Sequence, residues 1–253
     1  MRFFYCMLGL TVFIAFSCRD NQASTSTEKG NDLSQNHLVV TPIEHATFIL
    51  EWNGVVLYVD PVGGKEAFAG QKPADLILIT DIHGDHFDLG TLKALETTKA
   101  KIILPQAAAK GMPNEFDPQL DVLHNGDQKE RFGITITAIP MYNLREAALD
   151  FHPKGRGNGY VLEMADERIY ISGDTEDIPE MRALKDIDKA FVCMNLPYTM
   201  DVASAADAVL EFRPKEVIPY HYRGSAGLSD VQRFKRIVRS QNDGIKVSLL
   251  RWY

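Results

Sequence analysis

Asp75-Leu76-Ile77-Leu78-Ile79-Thr80-Asp81-Ile82-His83-Gly84-Asp85-His86-Phe87-Asp88 joins a buried strand to a loop dense in charged and imidazole side chains. Its first half is an unbroken apolar run between polar residues, the composition of a strand buried on both faces. Its second half crowds Asp81, His83, Asp85 and His86, all potential metal ligands, onto a loop that the strand holds in place. His83 and Asp85 alternate with Ile82 and Gly84, while His86 starts the next turn and can point from the opposite side. One loop could therefore feed two neighbouring ions. The plain alternative, a capping Asp and surface histidines ahead of a helix, does not account for this density. Asp88 then reads as the N-cap of a helix through about Thr98.

Upstream, Leu38 to Ile43, Ala46 to Trp52 and Val55 to Asp60 read as consecutive strands, the last two joined by an Asn53-Gly54 hairpin turn. Downstream, a strand at Lys101 to Leu104, a helix at Gln106 to Lys110 and a strand at Ile134 to Ile139 follow. A hairpin of Gly159 to Met164 with Arg168 to Ser172 comes next. Helices are then expected at Ile178 to Leu184, Ala203 to Phe212 and Leu228 to Arg239. They alternate with strands at Lys189 to Cys193, Glu216 to Pro219 and Ile245 to Trp252. Such mixed hairpins and crossovers fit an α/β sandwich with mixed sheets better than a purely parallel sheet.

Composition agrees with a globular domain: of 253 residues, 45% are hydrophobic and 24% charged. The formal net charge is −7, and there is no long Lys/Arg run of the kind a nucleic-acid backbone binder carries, so no nucleic-acid partner is expected. Arg2, the apolar run Phe3 to Phe16 and the small residues of Ala15-Phe16-Ser17 read as a secretory signal. The small residue directly before Cys18 resembles a bacterial lipobox, which assigns 1–17 to a lipoprotein signal peptide and makes Cys18 the lipidated N-terminus. The expected location is the cell envelope, anchored to the membrane by that lipid. Residues 18–36, nearly free of large aliphatic side chains, read as the lipidated Cys and a flexible tether, and 37–253 as the domain. Cys6 leaves with the signal and Cys18 carries lipid, so Cys193 has no partner and reads as a buried structural thiol.

The histidine-rich loop resembles the motif of the metallo-β-lactamase superfamily, His-x-His-x-Asp-His after a strand, with Asp81 at the first position in place of His. The remaining series follows in order: Asp60 ending an early strand, the lone His152, Gly173-Asp174 after a strand, and His221 ending a late strand. His45-Ala46-Thr47-Phe48, Asp60-Pro61, Asn158-Gly159-Tyr160 and Tyr198-Thr199-Met200 are similar to the branch containing ascorbate-phosphate lactonases and N-acyl phosphatidylethanolamine phospholipase D. The resemblance spans about His37 to Tyr253 and implies a four-layer αββα sandwich. It further implies one divalent ion on Asp81, His83 and His152, and a second on Asp85, His86 and His221, with Asp174 bridging. Asp60 would orient the ligand loop through hydrogen bonds. His45 would neighbour the metals, or stand as a strand-start histidine with a backbone partner. His37 and His124 read as surface residues.

The activity implied is hydrolysis of a small-molecule lactone, ester or amide, or of a phosphodiester, by a hydroxide formed at the two ions. Asp85 or a metal-bound water would protonate the leaving group, and Tyr198 and Tyr222 are candidate oxyanion donors or ordinary packing residues. Zn is the expected metal, with Mn or Fe as alternatives because Asp81 replaces a nitrogen by a harder oxygen. Asp81 also adds negative charge, which implies a less electrophilic centre. A nuclease and a non-catalytic binding lipoprotein of the same fold stand as competing readings. The Ser17 and Ser172 hydroxyls lack triad partners. Gly155-Arg156-Gly157-Asn158-Gly159 lacks a Gly-Lys-Ser/Thr ending and reads as a flexible lip beside His152, and the basic face of the last helix reads as solvated. Specificity is expected in Ala67 to Lys72, Met112 to Asp117 and Tyr142 to Gly157, with Phe68, Tyr142 and Phe151 as a possible apolar wall.

Overall fold

The computed structural model of the chain describes residues 38–95 and 97–253, together with Met1. The described residues from 38 onward belong to one compact unit. The expected signal segment, Cys18, the tether and His37 lie outside the described residues.

The first sheet holds β1 (Leu38–Glu44), β2 (Thr47–Trp52), β3 (Val55–Val59), β4 (Leu76–Leu78), β5 (Lys101–Pro105) and β6 (Leu120–Leu123), in that spatial order. β1 to β3 form an antiparallel meander, and β3 to β6 run parallel. The short helices α1 (Gly64–Ala67), α2 (Leu89–Ala94) and α3 (Gln106–Ala109) lie along this half of the chain. The second sheet is built from β7 (Gln128–Arg131), β8 (Ile134–Met141), β9 (Gly157–Met164), β10 (Glu167–Ile171), β11 (Lys189–Cys193) and β12 (Glu216–Tyr220). After α4 (Pro179–Arg182), α5 (Val202–Phe212), the small ribbon β13 (Arg223–Gly224) with β14 (Gly227–Leu228), and α6 (Val231–Gln241), it is closed by β15 (Lys246–Val247) beside β12.

Period-two alternation sorts the side chains into layers. Phe48, Leu50, Leu57, Val59, Leu76 and Leu78 turn to the other sheet, where the Phe48 ring stacks on Phe191 with centroids 4.5 Å apart. Truncating a buried ring of this kind to Ala costs about 3–5 kcal/mol. Ile49, Tyr58, Ile77, Ile79, Ile102 and Leu104 turn outward and are covered by Leu92 of α2 and Ala108 of α3. On the far side, Tyr170 of β10 meets Phe212 of α5 edge to face. The result is the four-layer αββα arrangement with mixed sheets.

Several boundaries differ from expectation. α2 stops at Ala94 rather than about Thr98, because β-branched Thr97 and Thr98 resist helix and Thr97 instead bonds back to the Leu92 carbonyl. The last helix begins at Val231, capped by Asp230, and leaves Leu228 to β14. Only Lys246–Val247 of the expected final strand pairs, since beyond it Trp252 turns in to pack on Phe48 and Tyr220. β6 and β7 were not expected: β7 is Gln-Lys-Glu-Arg on a sheet edge, where polar side chains carry no apolar pattern.

Candidate metal centre

The parallel strands converge on one edge. Asp60 follows β3, the Asp81 to His86 loop follows β4, Asp174 follows β10, Asn195 follows β11 and His221 follows β12, so loops at carboxyl ends meet in one place. Two close approaches make this possible. A Cβ on Gly157 would lie 2.8 Å from the Thr80 carbonyl oxygen, and one on Gly173 (φ 60) would lie 2.6 Å from Met141 Sδ. The sequence Gly-Arg-Gly-Asn-Gly is therefore not a loose lip: its second half belongs to β9, and the Asn158 amide donates to the Thr80 carbonyl at 2.9 Å.

Three of the histidines are aimed by a partner on one ring nitrogen. His86 Nδ1 lies 2.8 Å from Asp60 Oδ2 and 2.9 Å from Thr80 Oγ1, which turns Nε2 toward Asp174 Oδ2 at 3.4 Å. Asp60, fully buried, also accepts from the Thr80 amide (2.7 Å) and hydroxyl (2.6 Å), so it fixes strand end and histidine together. His152 Nδ1 donates to the Tyr198 carbonyl at 3.1 Å, leaving Nε2 3.2 Å from Asp174 Oδ2 and 3.7 Å from Asp81 Oδ2. His221 turns Nδ1 to His45 Nδ1 (3.2 Å) and Nε2 to Asp174 Oδ1 (3.3 Å) and Asp85 Oδ2 (3.5 Å). His83 stands 2.7 Å from Asp81 Oδ2 through its own Nδ1.

Ligand-capable atoms gather into Asp81-His83-His152 and His86-Asp174-His221, with Asp85 approaching through His221 in a further cluster with His45. Asp174 reaches His86, His152 and His221, the central place of a bridging carboxylate. His86 Nε2, His152 Nε2 and Asp174 Oδ1 are buried without a hydrogen-bond partner. Buried polar atoms are rarely left so, and imidazole nitrogens converging on carboxylates suit a divalent cation, so the donor set fits metal.

Electrostatics follow the same geometry. Burial works to lower the His86 pKa, but the Asp174 and Asp60 carboxylates outweigh it and hold the imidazole well above its ordinary 6.5. Burial works to raise Asp174, and the surrounding histidines instead hold it well below the usual carboxylate range. Burial lowers His45, with His221 adding to the effect. The Cys193 thiol, buried and donating to the Thr175 carbonyl at 3.4 Å, is pushed up to about 12 by burial, as suits an inert core residue.

A cavity of about 390 Å³ opens over the cluster. His45 lines it while bonding to His221 and to the Tyr253 hydroxyl (3.1 Å). Tyr198 lines it too, its ring edge-on to Phe151. Tyr222 does not: its ring is buried against Tyr253, 5.0 Å between centroids. Of the expected apolar wall only Phe151 lines the cavity. Tyr142 is buried with its hydroxyl on Glu180, and Phe68 stacks on Tyr58 in the outer core, where Met112 and Phe116 also lie. Alternation along β3 explains this, because Tyr58 faces the outer layer and carries Phe68 with it.

Sequence reading missed three contributors. Asn143 donates to the Tyr198 carbonyl at 2.7 Å and so fixes the acceptor of His152. Asn195 Nδ2 lies 3.2 Å from His221 Nε2. Arg156 grips Asp81 through Nε to Oδ1 (3.2 Å) and Nη2 to Oδ2 (3.0 Å). No short-range signal marks the asparagines. The glycines flanking Arg156 read as a flexible lip, whereas Gly155 (φ 85) and the close approach of Gly157 to Thr80 fix the backbone on both sides of the arginine.

The beta-lactamase superfamily domain profile matches residues 39–221. A metal-dependent hydrolase of Pyrococcus horikoshii is 30% identical over 205 residues, covering 77% of this chain and 89% of that protein. Among solved structures, one from Parabacteroides distasonis described as a metal-dependent hydrolase has 38% identity and a TM-score of 0.76, covering 85% of this chain and 94% of that one. A metallo hydrolase from Ignicoccus hospitalis, at 24% identity and a TM-score of 0.70 over 85% and 95% of the two chains, shares the fold.

Proposed function

Since this chain belongs to the metallo-β-lactamase superfamily, whose domain it carries over residues 39–221, we propose that it is a metal-dependent hydrolase holding two divalent ions. Asp81, His83 and His152 would hold one, and Asp85, His86 and His221 the other, with Asp174 between them. The observation that carries this reading is the set of buried, unpartnered atoms, His86 Nε2, His152 Nε2 and Asp174 Oδ1, converging where the two ligand groups meet. Divalent ions bound there supply Lewis acidity and lower the pKa of coordinated water, in favourable cases to about 7.

The chain's own groups do the rest. Asp60 and the Tyr198 carbonyl keep His86 and His152 in the tautomer that presents Nε2. Asp85, whose side chain is 42% exposed and borders the cavity, is placed to pass a proton to a leaving group. The Tyr198 side chain at the cavity wall is the candidate donor to a developing oxyanion. Arg223 adds a fixed positive charge to the lining, its guanidinium 4.0 Å above the Tyr253 ring. That charge supports a substrate with an anionic portion as well as a lactone, ester, amide or phosphodiester bond.

The test is hydrolysis by chelator-stripped protein before and after restoring Zn or Mn, across lactones, aryl esters and phosphodiesters. Turnover that requires metal and drops about 100-fold or more in Asp85→Asn is the expected result. Metal-loaded protein inert toward all of these classes would instead favour a binding lipoprotein.

A further inference from the structure

Asp81 stands where the superfamily motif carries a neutral imidazole, and taken alone it would add a negative charge to the centre. It does not stand alone. The Arg156 side chain, 18% exposed, closes a fork on the fully buried Asp81 carboxylate. Its Nη2 also lies 3.3 Å from His83 Nε2 and donates to the Phe151 carbonyl. Gly155 (φ 85) bends the loop, and Gly157 passes against Thr80 where no Cβ fits, so the backbone on both sides of Arg156 is set to deliver the guanidinium there. The fork occupies Oδ1 and one side of Oδ2, and Oδ2 is the oxygen that faces His83 Nδ1 and His152 Nε2.

We propose that Arg156 is the positioning residue of the Asp81-His83-His152 group, and that the Asp81–Arg156 pair replaces, as a unit, the neutral histidine of the superfamily motif. The guanidinium cancels the charge that Asp81 adds, and its planar fork limits Asp81 to one ligand oxygen. The centre is then no less electrophilic than one with a neutral histidine at this position, because the guanidinium sits on the Asp81 carboxylate. This inference rests on the two-ion reading given above.

The test is equilibrium dialysis of the full-length chain, in mild detergent, against buffered free Mn or Zn, with bound metal counted. Wild type, Arg156→Gln, Arg156→Lys, Asp81→His and the Asp81→His/Arg156→Gln double variant are compared. Arg156→Gln and Arg156→Lys are each expected to weaken one of the two ions by about 10-fold or more, the usual cost of losing an outer partner of a ligand. Asp81→His is expected to weaken the same ion, because a cation then faces an imidazole. Adding Arg156→Gln to it should strengthen binding again, so one substitution acts with opposite signs in the two backgrounds. Arg156→Lys keeps the charge beside buried Asp81 and serves where Arg156→Gln does not fold. The proposal is overturned if Arg156→Lys binds both ions as wild type does, or if Arg156→Gln shifts affinity in the same direction in both backgrounds. Wild-type protein holding fewer than two ions would instead overturn the two-ion reading itself, and the role of Arg156 with it.

Discussion

Asp60 lies outside the proposed ligand groups, yet it governs one ligand. Its carboxyl accepts from the Thr80 amide and lies within 2.6–2.8 Å of the Thr80 hydroxyl and His86 Nδ1, while Thr47 holds its own carbonyl at 2.6 Å. Burial pushes its pKa up, and His86 and Thr80 pull against that. Replacing Asp60 by Asn keeps the shape but removes the charge that makes Nδ1 of His86 the donor. The expected outcome is a 10- to 100-fold, order-of-magnitude loss of metal affinity, measured by competition with a chromophoric chelator. Retained affinity would show that His86 is held by packing alone. This role was legible in the sequence through the resemblance, in which an Asp ending an early strand orients the ligand loop. The roles of Asn143, Asn195 and Arg156 were not, because each is defined by a partner distant in the chain: Tyr198, His221 and Asp81 respectively.

At the scale of elements, the short ribbon of β13 and β14 forms part of the cavity wall through Arg223, Gly224 and Ser225. It is clamped to the loop after β11: a Cβ on Gly224 would fall 1.8 Å from the Leu196 carbonyl oxygen, which also accepts from the Ser225 amide at 3.1 Å. Gly224→Ala is therefore expected to displace the ribbon and cost about 1–3 kcal/mol or more, read as a lowered melting temperature. A second clasp ties β12 to its neighbours. Glu216 receives Lys189 (2.8 Å), Lys246 (2.9 Å) and the Ser248 hydroxyl. Burial works to raise its pKa, but these partners bring it down to about 2 from an ordinary 4.5. A carboxyl depressed on folding stabilises fully above its unfolded pKa, and that contribution is lost as pH falls toward the folded value. Glu216→Gln should accordingly melt earlier than wild type at neutral pH, with the gap narrowing below pH 4.5. An unchanging gap would assign the loss to hydrogen bonding alone. Elements with apolar alternation or buried runs, such as β2, β4 and β11, were legible in sequence. β7 and the ribbon were not, since polar edge strands and two-residue pairings leave no period to read.

Across the whole molecule, the order of the strands does the work. Parallel strands in both sheets release their loops at one edge, and the packed core between the sheets, with Phe48 on Phe191, holds the two sets of ligands in register. The αββα architecture was legible through the resemblance of the motif series to the superfamily, whereas the placing of Phe68, Met112 and Phe116 in the outer layer needed the side-chain alternation of the folded sheet. The proposed lipid on Cys18 predicts that Cys18→Ser releases the protein from the membrane fraction, with wild-type peptide mass spectrometry finding a lipidated Cys18. On the two-ion reading, this edge binds a pair of ions through a shared Asp174. Elemental analysis of the purified protein beside Asp174→Ala tests it most directly, with about two equivalents of Zn, Mn or Fe predicted for wild type and a sharp fall in the variant. Folded wild-type protein with one equivalent or none, or a variant that keeps both ions, would contradict it.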